Sequence, residues 1–269
     1  PGSKLKMLTF VNPIKQEEQL DVYEEPKKGH TYIAIVDCAE GVGKDYSAVS
    51  IVDVTELPYK HVAKFRDNKL SPLIFPTYIY NISNRYNRAF ILVETNNVGQ
   101  QVVDILHYDL EYENIFRIES HDIKGVHIAS GFKKGASYGI KTSKSVKKIG
   151  CANLKTLIEN DKLITNDFDT IAELNTYVRD KDTYNAEEGN NDDIVMTLVL
   201  FSWLTAQSYF REITDSDVRK RLLEERELQL DEEMLPIGEL NDGLEEEKTF
   251  DGADLWTTVQ KKGYLPSTF

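Results

Sequence analysis

Residues 32–47 read YIAIVDCAEGVGKDYS. The apolar run Tyr32, Ile33, Ala34, Ile35, Val36 has the length and composition of a buried strand, and it ends on a carboxylate, Asp37, ahead of a glycine loop carrying Glu40 and Asp45. A strand that delivers an acid to its end is building a site. The fragment GVGKDYS also carries the Gly-Lys pair of a phosphate-binding loop, whose pattern is G-x-x-x-x-G-K-[ST]. Counted back from Gly43-Lys44, the first glycine position holds Cys38 and the hydroxyl position holds Asp45. A carboxylate there repels phosphate, which excludes that reading.

Downstream, Ala48–Val54 and His61–Phe65 read as second and third strands joined by the turn-like TELPYK, a short-loop antiparallel meander. From Ser71-Pro72 the period changes to a helical one through Ile74, Tyr78, Ile79, Ile82 and Tyr86. Ala89–Thr95 (AFILVET) is a continuous apolar strand of the kind covered on both faces, and it too ends in an acid, Glu94. A helix follows from Gly99, then a short strand at Ile115–Ile118 and a Gly/Ser/Lys-rich loop or hairpin at Gly125–Gly139. A third helix runs from Thr142 through Ile158, Leu163-Ile164 is a short strand, Asp167–Tyr177 a helix, and Val178–Glu187 a polar hairpin. In GNNDDIVMTLVLFSWL, Asn190 or Asn191 is the expected cap of a strongly apolar helix with Asp192 and Asp193 in its first turn. Pro1-Gly2-Ser3 reads as a tag scar, and Lys4–Gly29, polar and without steady period, as a linker or incoming arm.

The 269 residues and 41% hydrophobic content suffice for a real core. No apolar run approaches the ~18 residues of a membrane span, so no membrane partner is expected. Cys38 and Cys151, 113 positions apart, are expected as free thiols in a reducing compartment. The net charge of −13 is uneven: residues 215–254 hold 15 acids against 5 bases, whereas Lys133, Lys134, Lys141, Lys144, Lys147 and Lys148 fall in a stretch with no acid. One face can therefore still meet a polyanion.

Asp37 at one strand end, Glu94 at another and Asp193 at a helix start can converge if the antiparallel strands lead into helix-linked parallel ones. Carboxylates gathered without His or Cys select a hard ion, Mg2+ or Mn2+. Two such ions about 3.5–4 Å apart would activate water and stabilise the leaving oxygen of a phosphodiester. The competing readings are helix capping for Asp192 and Asp193, and a solvated helix face for the lysines. An actin-like ATPase would need a second glycine-rich phosphate loop, which is absent, and a docking module would leave the carboxylates incidental.

AIVDCAEGVGKDY (34–46), ILVETNNVG (91–99), DLEYE (109–113), GCANLKTLIENDKL (150–163) and EEGNNDDIVMTLVLFSWL (187–204) resemble, in matching order, the C-terminal nuclease domain of the large terminase subunits of T-even-like tailed phages. The resemblance implies a ribonuclease H-like α/β fold: a mixed central sheet, three leading antiparallel strands, and helices on both faces. It divides the chain into a linker (1–29) from an N-terminal ATPase domain, a nuclease domain (30–210) and an acidic extension (211–269). It implies a Mg2+- or Mn2+-dependent endonuclease that cuts concatemeric double-stranded DNA at the start and end of headful packaging. By position Asp37, Glu94 and Asp193 match its metal-binding triad and Asp45 an additional catalytic acid, with Asp192 the competitor for the third place. The lysines would contact DNA. Implied partners are the ATPase domain, the portal protein and the small terminase subunit, in the host cytoplasm at the portal vertex of the prohead and not in the mature virion. A junction resolvase of the same fold is the alternative enzyme.

Overall fold

The computed structural model describes residues 8–39, 45–96, 98–121, 125–128, 137–180, 183–211, 214–215, 248–251 and 254–257. The chain divides into two units, Pro1–Arg221 and Leu222–Phe269.

The stretch read as a linker is the first surprise. Lys15–Glu17 (β1) and Leu20–Val22 (β2) form a hairpin, and Leu20 and Val22 are buried. The linker reading is corrected for these residues: they are too few to show a period, yet two apolar side chains spaced two apart are enough to seat a strand. The leading strands follow as expected, at Tyr32–Asp37 (β3), Ser47–Asp53 (β4) and Tyr59–Asp67 (β5). β3 and β4 pair antiparallel with Asp37 opposite Ala48, and β4 pairs antiparallel with β5. Phe75–Arg85 (α1) then crosses to Phe90–Val93 (β6), which runs parallel to β3. The sheet order is β1-β2-β5-β4-β3-β6.

After β6 come Gly99–Asp104 (α2), continued by a π-helical turn at Ile105–Asp109, and a small sheet of Arg117–His121 (β7), Gly125–Ile128 (β8) and Ser137–Tyr138 (β9). Single bridges at Ile91↔Ile115 and Glu94↔Ile140 extend the pairing beyond β6. Lys144–Glu159 (α3) is capped by the Ser143 side chain on the Val146 amide. Leu163–Ile164 (β10) joins β5 in parallel, and Phe168–Thr176 (α4) is capped by Asp167. The predicted hairpin forms as Tyr177–Asp180 (β11) and Thr183–Ala186 (β12), ahead of Asp193–Thr205 (α5). In the second unit, Lys248–Asp251 (β13) and Asp254–Thr257 (β14) pair as a hairpin. The charged helix expected between Gln207 and Leu230 lies mostly outside the described residues.

Side-chain alternation along β3 divides the core in two. Tyr32, Ala34 and Val36 join α1 and α2 on one face, through Phe75, Ile79, Val102 and Val103. Ile33 and Ile35 join α3 and α5 on the other, through Val146, Leu154, Val195 and Val199. This is the expected α/β architecture, with helices on both faces of a mixed sheet. Ile194 to Leu204 are all buried, because α5 is enclosed between the sheet and α3 and has no solvent side. Both cysteines are free thiols.

α3 and α5 meet at Gly150, where a Cβ would land on the Val199 carbonyl oxygen and 2.7 Å from its Cγ1. Backbone cannot step aside cheaply. Gly150→Ala gains ~1 kcal/mol of helix propensity and costs ~3 kcal/mol of overpacking. The expected result is a thermal midpoint about 5 °C lower by calorimetry.

Candidate active site

Alternation decides where the two strand-end acids point. Asp37 follows Ile35 by two residues, and Glu94 follows Leu92 by two, so both fall on the face covered by α5. β3 and β6 are neighbours in parallel register, Val36 opposite Val93, and the Glu94 amide donates to the Val36 carbonyl at 2.8 Å. The Asp37 and Glu94 carboxyls consequently stand side by side, close enough for each charge to act on the other. Burial pushes Asp37 well above the usual carboxylate range, and the charges of Glu94, Asp193 and Asp192 push it further. Among the described residues no basic side chain pairs with Asp37 or Glu94. Asn96 donates to Glu94 Oε1 at 2.6 Å. Gly99 lies against the Glu94 carbonyl so closely that a Cβ would overlap it, which gives the glycine of ILVETNNVG a physical role in placing this acid.

Asp193 is the first residue of α5, and Asp192 occupies the cap position without a capping side-chain bond. The expected capping by Asn190 or Asn191 is therefore replaced. Glu173, on α4, reaches in from outside and accepts from the amides of Ile194 (2.9 Å) and Val195 (3.0 Å) through Oε2. Its Oε1 lies 3.2 Å from Arg66 Nη2, and the same nitrogen lies 3.7 Å from Asp193 Oδ2. Asp193 Oδ1 accepts from the Tyr46 amide at 3.3 Å, and Arg66 lies over the Tyr46 ring at 4.0 Å. Burial raises Asp193 to about 6 against the pull of Arg66 and the Tyr46 amide. Burial likewise lifts Glu173 to about 7 against the Val195 amide and Arg66.

The fold thus gathers Asp37, Glu94, Asp192 and Asp193, from two strand ends and a helix start. Asp45 is exposed in the loop before β4, one residue from Tyr46. Lys141 follows Ile140, the bridge partner of Glu94, and is exposed, as are Lys144 and Lys148 on the first turns of α3. Lys147 is half-buried, donates to Asn185 Oδ1 at 3.3 Å and faces the Tyr177 ring at 5.8 Å. Lys133, Lys134 and Glu40 lie outside the described residues. Sequence reading missed Arg66, Tyr46 and Glu173. The only signal for Glu173 was an acid beside the inward positions Ile171 and Leu174, and Arg66 and Tyr46 carried none.

A second acid cluster has another explanation. Among the described residues, Asp21, Asp167 and Asp169 form the one acidic group whose oxygens all lie within 4.8 Å of one another, but its centre is taken. Lys64 Nζ lies 2.9 Å from Asp21, 3.0 Å from Asp167 and 2.6 Å from Asp169. An ammonium with three carboxylate partners already neutralises the group, so it is an ion-pair knot tying β2 and β5 to α4.

Residues 34–201 match a protein family described as Terminase RNaseH-like domain. The structure resembles the large terminase nuclease from thermophilic phage G20c with bound magnesium, with a TM-score of 0.56 at 22% identity, over 74% of this chain and 94% of that one. The cobalt-bound form of the same nuclease gives 0.54 at 24% identity with the same coverage. The large terminase nuclease domain of Thermus phage P74-26 gives 0.53 at 21%, over 74% and 91%. At these identities the solved structures speak for the fold. They come from phages G20c and P74-26, and they do not test the T-even-like branch named by the resemblance.

Proposed function

The chain belongs to the family of terminase RNase H-like domains, and from that premise we propose that it is a metal-dependent nuclease that hydrolyses double-stranded DNA as part of a phage large terminase. The observation that carries this is the Asp37–Glu94 pair with Asp193 and Asp192 beside it, four acids of which the first two have no basic partner among the described residues. Such a donor set, all carboxylate oxygen, fits a hard divalent cation such as Mg2+ or Mn2+, and relatives solved with magnesium, cobalt and zinc support a divalent ion at the site.

When bound, divalent ions supply the polarisation of the attacking water and of the leaving 3′ oxygen. The protein supplies placement. Asp37 and Glu94 are held by adjacent strands, so their separation is set by the sheet; Asn96 orients Glu94 and the Tyr46 amide orients Asp193. Lys141, Lys144 and Lys148 offer exposed ammonium groups for the phosphate backbone, which makes affinity fall steeply with salt. Asp45 is proposed as an auxiliary acid at the open edge. Cutting of concatemers at the start and end of headful packaging belongs to the same proposal. So do an ATPase domain in the same subunit, the portal and small terminase subunit as partners, and action at the prohead's portal vertex in the host cytoplasm.

The test is incubation of the purified chain with supercoiled and linear plasmid in Mg2+, Mn2+ or EDTA. Nicking and linearisation in either metal, absent in EDTA, is the expected result. Duplex DNA bound at low salt but never cut in any metal would sink the enzymatic reading.

Thermal unfolding provides a second check through linkage. A carboxyl raised in the folded state stabilises below its unfolded value, and that contribution is lost as pH rises through the folded one. For Asp193 the window runs from 3.8 to about 6, and Glu173 extends it from 4.5 to about 7. In EDTA these groups therefore make the fold less stable at pH 7.5 than at pH 5, by about 4 kcal/mol. Mn2+ is expected to raise the midpoint at pH 7.5 and hardly at all at pH 5, where protons compete. Equal shifts at both pH values would contradict the site.

A further inference from the structure

Arg66 stands between two acids and can serve only one of them well. Its Nη2 is nearer Glu173 (3.2 Å) than Asp193 (3.7 Å). Its Nε is buried without a hydrogen-bond partner, as is Glu173 Oε1, so the guanidinium is not locked by an ideal fork on either side. Glu173 is 5% exposed and is fixed from behind by the amides of Ile194 and Val195. Those amides are the two that follow Asp193 in α5. Stacking on the Tyr46 ring limits where the guanidinium can go, and the Tyr46 amide holds the other oxygen of Asp193.

We propose that Glu173 is a positioning residue that draws Arg66 away from Asp193, leaving the Asp193 carboxylate available to a divalent cation, while its other oxygen pins the first turn of α5. The inference rests on the nuclease reading above. Without the Glu173 charge, Asp193 is the one acid paired with Arg66 among the described residues, and the guanidinium closes on it. An arginine–carboxylate pair then competes with the metal for the same oxygens. The two roles of Glu173 are separable by chemistry. A glutamine keeps a carbonyl oxygen for the α5 amides and loses only the charge that holds Arg66; an alanine loses both.

The experiment is Mn2+ binding, by calorimetry and by loss of the free-ion electron paramagnetic resonance signal, on wild type, Glu173→Gln, Arg66→Met and the double variant, with thermal unfolding in EDTA alongside. Glu173→Gln is expected to weaken Mn2+ binding ~10-fold with its circular dichroism spectrum unchanged, and the double variant to recover to within about threefold of wild type, since no guanidinium remains to compete. Arg66→Met alone is expected to bind Mn2+ at least as tightly as wild type, which tests the competition even if Glu173→Gln folds poorly. Unchanged affinity in Glu173→Gln, no recovery in the double variant, or weaker binding in Arg66→Met would each overturn the inference. A wild-type chain that binds no Mn2+ at all would overturn the metal-nuclease reading, and this inference with it. Wild-type binding with an indifferent Glu173→Gln overturns the inference alone.

Discussion

Asp37→Asn is expected to lower plasmid cleavage by about 10³-fold while making the metal-free fold more stable. The two effects have one cause. Asp37, half-buried beside Glu94, is raised well above its ordinary range by desolvation first and by Glu94 second, so at neutral pH the pair either holds a proton or stores repulsion. An amide at position 37 can donate to Glu94 and removes one of the two charges. It also removes a carboxylate from the proposed metal centre. The midpoint in EDTA at pH 7.5 should therefore rise by a few degrees as activity disappears, the pattern of a site that trades stability for chemistry. A variant that loses activity and stability together would indicate that Asp37 is a structural acid. In the same assay Asp193→Asn should be nearly as damaging, and Asp192→Asn much less so. Asp193 is the acid oriented by a backbone donor, the Tyr46 amide on its Oδ1, whereas Asp192 sits at the helix cap with no capping side-chain bond.

Lys64→Met is expected to be the most destabilising single change in the sheet, about 4 kcal/mol, or roughly 10 °C in midpoint. Lys64 is 3% exposed and its ammonium has three carboxylate partners. Removing it leaves Asp21, Asp167 and Asp169 facing one another around an apolar side chain. Burial opposes the Asp167 charge, but Lys64 and hydrogen bonds from Thr170 and Tyr23 outweigh it and hold the carboxyl down at about 2. Because that value is depressed, its contribution is present above 3.8 and is lost as pH falls through about 2. The penalty of Lys64→Met should accordingly shrink at pH 3, where the orphaned acids take up protons, and Asp167→Asn in the same background should recover part of it. A penalty independent of pH would mean that lost packing of the lysine stem, not charge, sets the cost. Cleavage by residual folded protein should be unaffected, which separates this cluster from the site at Asp37.

What the sequence determined by itself was the sheet's centre and the acids on it. Strand runs such as YIAIVD and AFILVE are locally encoded by continuous apolarity, and an acid closing such a run is visible without any tertiary information. The resemblance of five ordered segments then pointed to the family and, through it, to Asp37, Glu94 and Asp193. The antiparallel start of the sheet and the hairpin before α5 were legible for the same local reasons. Tertiary structure alone decided the rest. Leu20 and Val22 became a strand because β5 offered a free edge, a fact that resides in β5 and not in residues 20–22. Glu173 caps α5 from 20 positions upstream of Asp193, and Arg66 reaches Asp193 across 127 positions. No periodicity or spacing connects them. Isolated charges in apolar surroundings have no local signature of their partners, since a long-range ion pair is set by where the chain packs and not by what flanks it. The same limit explains the two acid clusters. Asp37 with Glu94 and Asp21 with Asp167 are both distant acids brought together, and only the placement of Lys64 shows which group is already neutralised and which remains open to a cation.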